Sequence, residues 1–238
     1  MTKLIPFILI IFSLGCEESD NNVTAQKTNT AELNNIVKQA LDNDSSANSR
    51  LGNLVAYSRE KYNQVITDSI FSGNKTYYYV LLENDNPAHN RFAVYDSMLT
   101  PLFVDKSLNG NIAIEKINTS AKEFVKADEV YLSKDTLLLN RISLYSIERD
   151  RVSLVFRTHT KFVKPGYEYL QDIIEISDTL IKTKISGTRR FALTNREDVF
   201  KFNSSEKKYT SSQNLFDIFI KNEIENFDFS PVKKQLTE

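Results

Sequence analysis

Residues 151–163 read Arg151-Val152-Ser153-Leu154-Val155-Phe156-Arg157-Thr158-His159-Thr160-Lys161-Phe162-Val163, and their period of two decides the fold class. Val152, Leu154, Phe156 and Phe162 fall on one side of an extended chain, and Arg151, Ser153, Arg157, His159 and Lys161 on the other. An antiparallel strand with one face on a core and one in water has this texture. In 179–193 the pattern recurs, with Ile181, Ile185, Phe191 and Leu193 opposite Lys182, Lys184 and Arg190. Turn chemistry at Glu148-Arg149-Asp150, Lys164-Pro165-Gly166 and Ser177-Asp178 makes 136–193 a run of hairpins.

Upstream, Thr76-Tyr77-Tyr78-Tyr79-Val80-Leu81-Leu82 is a β-branched and aromatic run that reads as a central strand, ended by Asn84-Asp85-Asn86-Pro87. Alternation sends Tyr78 to one side of it and Tyr77 and Tyr79 to the other, where burial competes with a stacking platform for sugars. Short strands follow at 91–96 and 102–105. Asn109-Gly110 then reads as a hairpin turn between Leu102-Phe103-Val104 and Ile112-Ala113-Ile114. The stretch 118–132 reads as strands with a turn at Ala127-Asp128.

Helical spacing appears three times. Leu33, Ile36, Val37, Ala40 and Leu41 mark a helix over 31–42, with Thr30 able to cap it. Leu51, Leu54, Val55, Tyr62, Val65 and Ile66 mark a second over 51–66. Phe216, Phe219, Ile220, Ile224 and Phe227 mark a third over 213–227, capped by Ser211 or Ser212. The expected fold is therefore α+β: a single domain over 31–238, β-rich from 75 to 202, with two N-terminal helices and one C-terminal helix. Its mostly antiparallel sheet has about eight to ten strands and must curl, as a meander or half-barrel.

The N-terminus has a different character. Lys3 precedes the apolar run Leu4–Phe12, and Ser13-Leu14-Gly15 leads to Cys16, the only cysteine. The run is too short to span a bilayer, which takes about 20 apolar residues. This layout resembles a bacterial lipoprotein signal peptide, with Ser13 and Leu14 in the reverse of the usual order. The resemblance implies that 1–15 are removed, that Cys16 is acylated, and that the protein is an outer-membrane lipoprotein of the cell envelope, facing the periplasm or the cell surface. Glu17-Glu18-Ser19-Asp20 resembles the acidic segment of surface-exposed lipoproteins in the Bacteroidetes group. All aromatic residues outside the signal lie from Tyr57 onward, so 16–30, rich in Asn, Thr and acids, reads as a flexible tether.

Without the signal, 29 basic face 31 acidic residues, a charge of −2, which argues against nucleic acid as a partner. With Cys16 acylated, no thiol remains for a disulfide or a thiolate metal site. The two histidines, His89 and His159, fit no metal spacing and no recognisable triad, and no cofactor motif is present. Asp105, Ser107 and Asn109 before Gly110 resemble the start of an EF-hand-like calcium loop. Lys116 occupies the twelfth position, where a bidentate Glu belongs, so a turn explains the segment better.

The remaining signal is cationic. Between 151 and 190 there are eight Lys or Arg and four acids. Arg151, Arg157, His159, Lys161, Lys182, Lys184 and Arg190 would form an outward anion-binding face if their strands share one sheet. The competing reading is a solvated face on which Glu168, Asp172 or Glu175 pair with these cations. Together these features point to a non-enzymatic, lipid-anchored binding domain for an envelope macromolecule or glycan. The alternatives are a carrier or sensor of an apolar ligand in a curled-sheet pocket, or a carboxylate-based hydrolase.

Overall fold

The computed structural model describes residues 18–55, 62–86, 89–133, 137–188 and 192–225. The chain begins with α1 (Glu18–Leu41) and α2 (Ser45–Arg50). Four strands follow: β1 (Gln64–Ser72), β2 (Lys75–Glu83), β3 (Arg91–Tyr95) and β4 (Pro101–Asp105). Eight more are β5 (Asn111–Asn118), β6 (Glu123–Ser133), β7 (Leu137–Glu148), β8 (Arg151–Lys164), β9 (Tyr167–Ile176), β10 (Leu180–Gly187), β11 (Glu197–Asn203) and β12 (Lys208–Thr210), before α3 (Leu215–Glu225). The fold is α+β and antiparallel, as expected, but its strands divide into a four-stranded meander, β1-β2-β3-β4, and an eight-stranded one, β5 to β12 in order.

In the smaller sheet, β2 lies between β1 and β3, and the tyrosine run divides as its alternation predicts. Tyr78, Val80 and Leu82 face α1 and α2, where Leu33, Ile36, Val37, Ala40 and Leu51 close one core. Tyr77, Tyr79 and Leu81 face the larger sheet and pack with Phe92, Val94, Val125, Ala127, Tyr145 and Ile147. All three tyrosines are buried, which leaves no stacking platform there.

Two helical expectations change. α1 starts at Glu18, so the segment read as a flexible tether is helical from that residue. The helix expected over 51–66 is not formed. Asp44 caps α2 by accepting the Ser46 and Ala47 N–H groups at 2.8 and 3.0 Å. Gly52 and Asn53 then take φ of +71° and +57° and end the helix, and Asn48 bridges the N–H and C=O of Val55. Residues 56–61 lie outside the described residues, and from Gln64 the chain is strand β1. Ile66 and Ile70 there serve the inter-sheet core at a spacing a helix would also satisfy.

The Asn109-Gly110 hairpin is also corrected, because β4 and β5 belong to different sheets and the segment is the crossover between them. Of the pair only Gly110 has positive φ, +62°, and a Cβ there would run into the Val130 carbonyl group, its carbon at 2.7 Å. Glycine is therefore required by close approach to β6 rather than by a two-residue turn. β6 is one unbroken strand, with Ala127 opposite Ser143, so the turn expected at Ala127-Asp128 falls instead at Thr119–Lys122.

The larger sheet curls. Phe200 and Tyr209, from β11 and β12, return over β6–β8 to pack with Phe124, Leu144 and Phe156. The Phe156 and Phe200 rings lie 4.9 Å apart. On the opposite side α3 buries Phe216 and Ile220 against Leu137, Leu139, Phe162, Tyr169 and Ile185.

Candidate functional site

Strand β7 runs without interruption, so Leu139, Arg141, Ser143 and Tyr145 share one side. Their partners on β8 are Phe162, His159, Arg157 and Leu154, with register shifts at Val155 and Thr160. Each shift is a bulge that inserts one residue and reverses the alternation. Arg157 and His159 consequently join Leu154 and Phe162 on the inward side, and Phe156 crosses to the other with Leu144. The outward face expected for Arg157 and His159 is thereby overturned.

Inside, these residues assemble an ionic cluster with the crossover loop. Arg157 donates to Asp105 at 2.8 Å, to Ser107 Oγ at 2.6 Å and to Ser143 Oγ at 2.8 Å. Asp105 also accepts from the Ser107 N–H at 2.7 Å and the Tyr145 hydroxyl at 2.7 Å. Burial alone would raise the Asp105 carboxyl; the Arg157 charge and the Ser107 and Tyr145 hydrogen bonds outweigh it and hold the group below its usual range. Burial, with Asp105 beside it, pushes the Tyr145 hydroxyl well up. Arg141 donates to Glu129 through Nη2 at 2.6 Å and to the Ser107 carbonyl at 2.6 Å, while Glu129 takes the Asn109 N–H at 2.8 Å. Asp105 and Ser107 thus accept from protein donors and Asn109 donates to Glu129, which holds the crossover in place. Among the described residues no group of three or more His, Cys, Asp and Glu is arranged to hold a metal.

His159 anchors α3. β9 pairs with β8 only from Lys161 to Lys164, so at His159 side chains replace the ladder, and Gln171 Nε2 of β9 donates to the His159 carbonyl at 2.7 Å. Asp217 of α3 accepts the His159 backbone N–H at 2.9 Å, lies 2.7 Å from His159 Nδ1, and takes the Thr158 hydroxyl at 3.0 Å. Burial raises the Asp217 carboxyl, but the hydrogen bonds and charge of His159 hold it below its usual range. A His–Asp pair can orient a general base. However, the cavity that His159 lines with Asn109, Glu129 and Arg141 is about 10 Å³, room for at most one water and no substrate.

The other expected cations separate. Lys161 pairs with Glu168 at 2.5 Å and Lys182 with Glu197 at 2.7 Å. Lys184 stands opposite Asp172 and Glu197 in the sheet register. Arg190 and Cys16 lie outside the described residues. Of the expected cations among the described residues, Arg151 lines the larger cavity.

That cavity is an open groove of about 890 Å³ at one end of the molecule, with walls from both sheets. The β1–β2 turn contributes Gly73, Asn74 and Lys75; the larger sheet contributes Lys122, Glu148, Arg149, Arg151, Ser153 and Lys207. Lys75 pairs with Asp150, and Lys122 pairs with Glu148 at 3.1 Å while lying 4.2 Å above the Phe202 ring. Among the described residues, Arg149, Arg151 and Lys207 make no ion pair, and all three are exposed. Arg149 and Asp150 form the β7–β8 turn with φ of +49° and +63°, a conformation that favours Asn-Gly. Asp150 is fixed by Lys75 and by the Tyr77 hydroxyl at 3.0 Å, which staples the turn to the smaller sheet. The hydrogen bond from Lys75 lowers the Asp150 carboxyl. Two non-glycine residues in this conformation, Arg149 among them, place backbone strain at the rim of the groove.

Sequence reasoning missed Lys75, Lys122, Arg149 and Lys207. The available signal was Arg149-Asp150, a two-residue turn without the residues such turns prefer. Comparison of the chain with protein-family models, curated proteins and solved structures gives no match.

Proposed function

We propose that the protein is a non-enzymatic, lipid-anchored envelope protein whose domain holds a polyanionic macromolecule in the groove between its two sheets. The observation that carries this reading is the surplus of cations there: among the described residues Arg149, Arg151 and Lys207 make no ion pair, whereas Lys161 and Lys182 pair with Glu168 and Glu197. Walls of low dielectric concentrate that field on a ligand.

The alternatives fare worse on the same ground. A hydrolase needs a carboxyl with a raised pKa as general acid. The Asp150 carboxyl at the groove is lowered instead. An apolar-ligand carrier needs an apolar cavity, and the inside of the curled sheet is filled by Phe124, Phe156, Phe200 and Tyr209.

The anchor rests on the Cys16 sequence pattern. Among the described residues no helix is long and apolar enough to cross a membrane. Acylation at Cys16 would confine the domain to a membrane plane and raise its effective concentration toward partners there. Two measurements test the reading. Cys16→Ala should lose fatty acylation and leave the membrane fraction; unchanged membrane association overturns the anchor. The full chain should bind a polyanion such as dextran sulfate, more weakly as salt rises; no retention at low salt overturns the binding role.

A further inference from the structure

The groove's lining restricts which polyanion it accepts, and this step rests on the reading above. The volume, about 890 Å³, far exceeds that of an inorganic phosphate or sulfate, so the ligand is extended. Three apolar residues of the groove's lining, Tyr77, Ile147 and Val155, are each only 2% exposed and seat no anchor. Protein partners take most of their affinity from aromatic and aliphatic anchors seated in pockets, and an acidic protein would find no such seat here. The one accessible ring, Phe202, has Lys122 over it at 4.2 Å and Tyr209 at 5.1 Å. Single-stranded nucleic acid needs open aromatic faces for its bases and finds none free.

The polar groups of the lining left without an ion-pair partner are cations and neutral hydrogen-bonding groups. Arg149 and Arg151 supply planar, forked donors suited to carboxylate or sulfate, Lys207 adds a point charge, and Asn74 and Ser153 add neutral hydrogen-bonding groups. A ligand that is long, hydroxylated and acidic, without apolar side chains or bases, satisfies all of these terms.

We infer that the groove binds an acidic oligosaccharide, its carboxylate or sulfate groups on Arg149, Arg151 and Lys207, its hydroxyls on Asn74 and Ser153. Because the walls come from both sheets, the bound chain bridges the β1–β2 turn and the β7–β8 turn.

The test is calorimetric titration of the full chain in detergent with four probes: tetragalacturonate, a sulfated tetrasaccharide, maltotetraose and tetraglutamate. The expected result is one-to-one binding of at least one acidic sugar, no binding of maltotetraose, and at least tenfold weaker binding of tetraglutamate. Arg149→Asn combined with Arg151→Gln and Lys207→Gln should reduce sugar affinity at least tenfold with an unchanged melting temperature; Asn suits the positive φ at 149. Tetraglutamate binding as tight as the sugars and lost in the triple variant overturns the sugar assignment while leaving an anion groove. Sugar binding untouched by the triple variant overturns the location. Failure of all three anionic probes overturns both readings.

Discussion

Arg157→Met separates an inward arginine from an outward one by its energetic cost. Arg157 is 18% exposed and its partner Asp105 is 7% exposed. Removing one member of a buried pair costs about 3–5 kcal/mol, because the other charge is left desolvated. Asp105 would keep the Ser107 N–H, the Ser107 hydroxyl and the Tyr145 hydroxyl, which places the loss at the low end, about 3 kcal/mol. For a chain of this size that is roughly 6–12 °C in melting temperature. An arginine on a solvated sheet face would change stability by about 0.5 kcal/mol or less. Urea unfolding followed by circular dichroism measures the difference, with Lys184→Met as the exposed control. A pH arm sharpens it. Without Arg157 the leading cause that lowers the Asp105 carboxyl is gone while burial still raises it, so its folded pKa moves up and the deficit should shrink as pH falls toward about 4. A loss equal to the Lys184→Met control, or a deficit that grows on acidification, would refute the inward register set by the bulges at Val155 and Thr160.

Further outcomes follow from other parts of the molecule. Gly110→Ala should cost more than about 2 kcal/mol, because both the positive φ and the Val130 backbone oppose a Cβ, whereas Gly73→Ala, with nothing within 4 Å, should cost about 1 kcal/mol; thermal melts compare them. Asp105 and Asp217 have lowered folded pKa values, so their contribution is full above the unfolded value of about 3.9 and is lost as pH falls through the folded values. Asp217→Asn should flatten the acid limb of a stability–pH curve and lower hydrogen-exchange protection in α3; an unchanged curve contradicts the His159–Asp217 anchor. Phe216→Ala, at a fully buried position, should cost about 3–5 kcal/mol in chemical denaturation.

The sequence made much of the fold legible and little of the site. Period two separated Tyr78 from Tyr77 and Tyr79, and the stripe of Phe216 and Ile220 located α3, because in each case local spacing maps directly onto a buried face. Val65 and Ile66 were misread since a short apolar run fits a helix or a strand equally, and the pairing with Leu82 and Leu81 that selects a strand is non-local. Arg157 and His159 were misread for a subtler reason: Val155 and Thr160 are ordinary strand residues, and nothing in composition marks a bulge. Asn109-Gly110 announced a special backbone, but the obstacle that demands glycine is Val130 on another strand. Of the groove only Arg151 was expected, because Lys75, Lys122, Arg149 and Lys207 come together only through the two-sheet packing and the curl that brings the β11–β12 turn back.

The central claim is that binding capacity lies at the groove and not on the outer cations of β8 and β10. Amide chemical-shift mapping by NMR, with tetragalacturonate added to the isotope-labelled full chain, tests it most directly. The account predicts saturable shifts confined to Gly73–Lys75, Lys122, Glu148–Ser153 and Lys207. Shifts centred on Lys161, Lys182 and Lys184, or none at millimolar ligand, would contradict it.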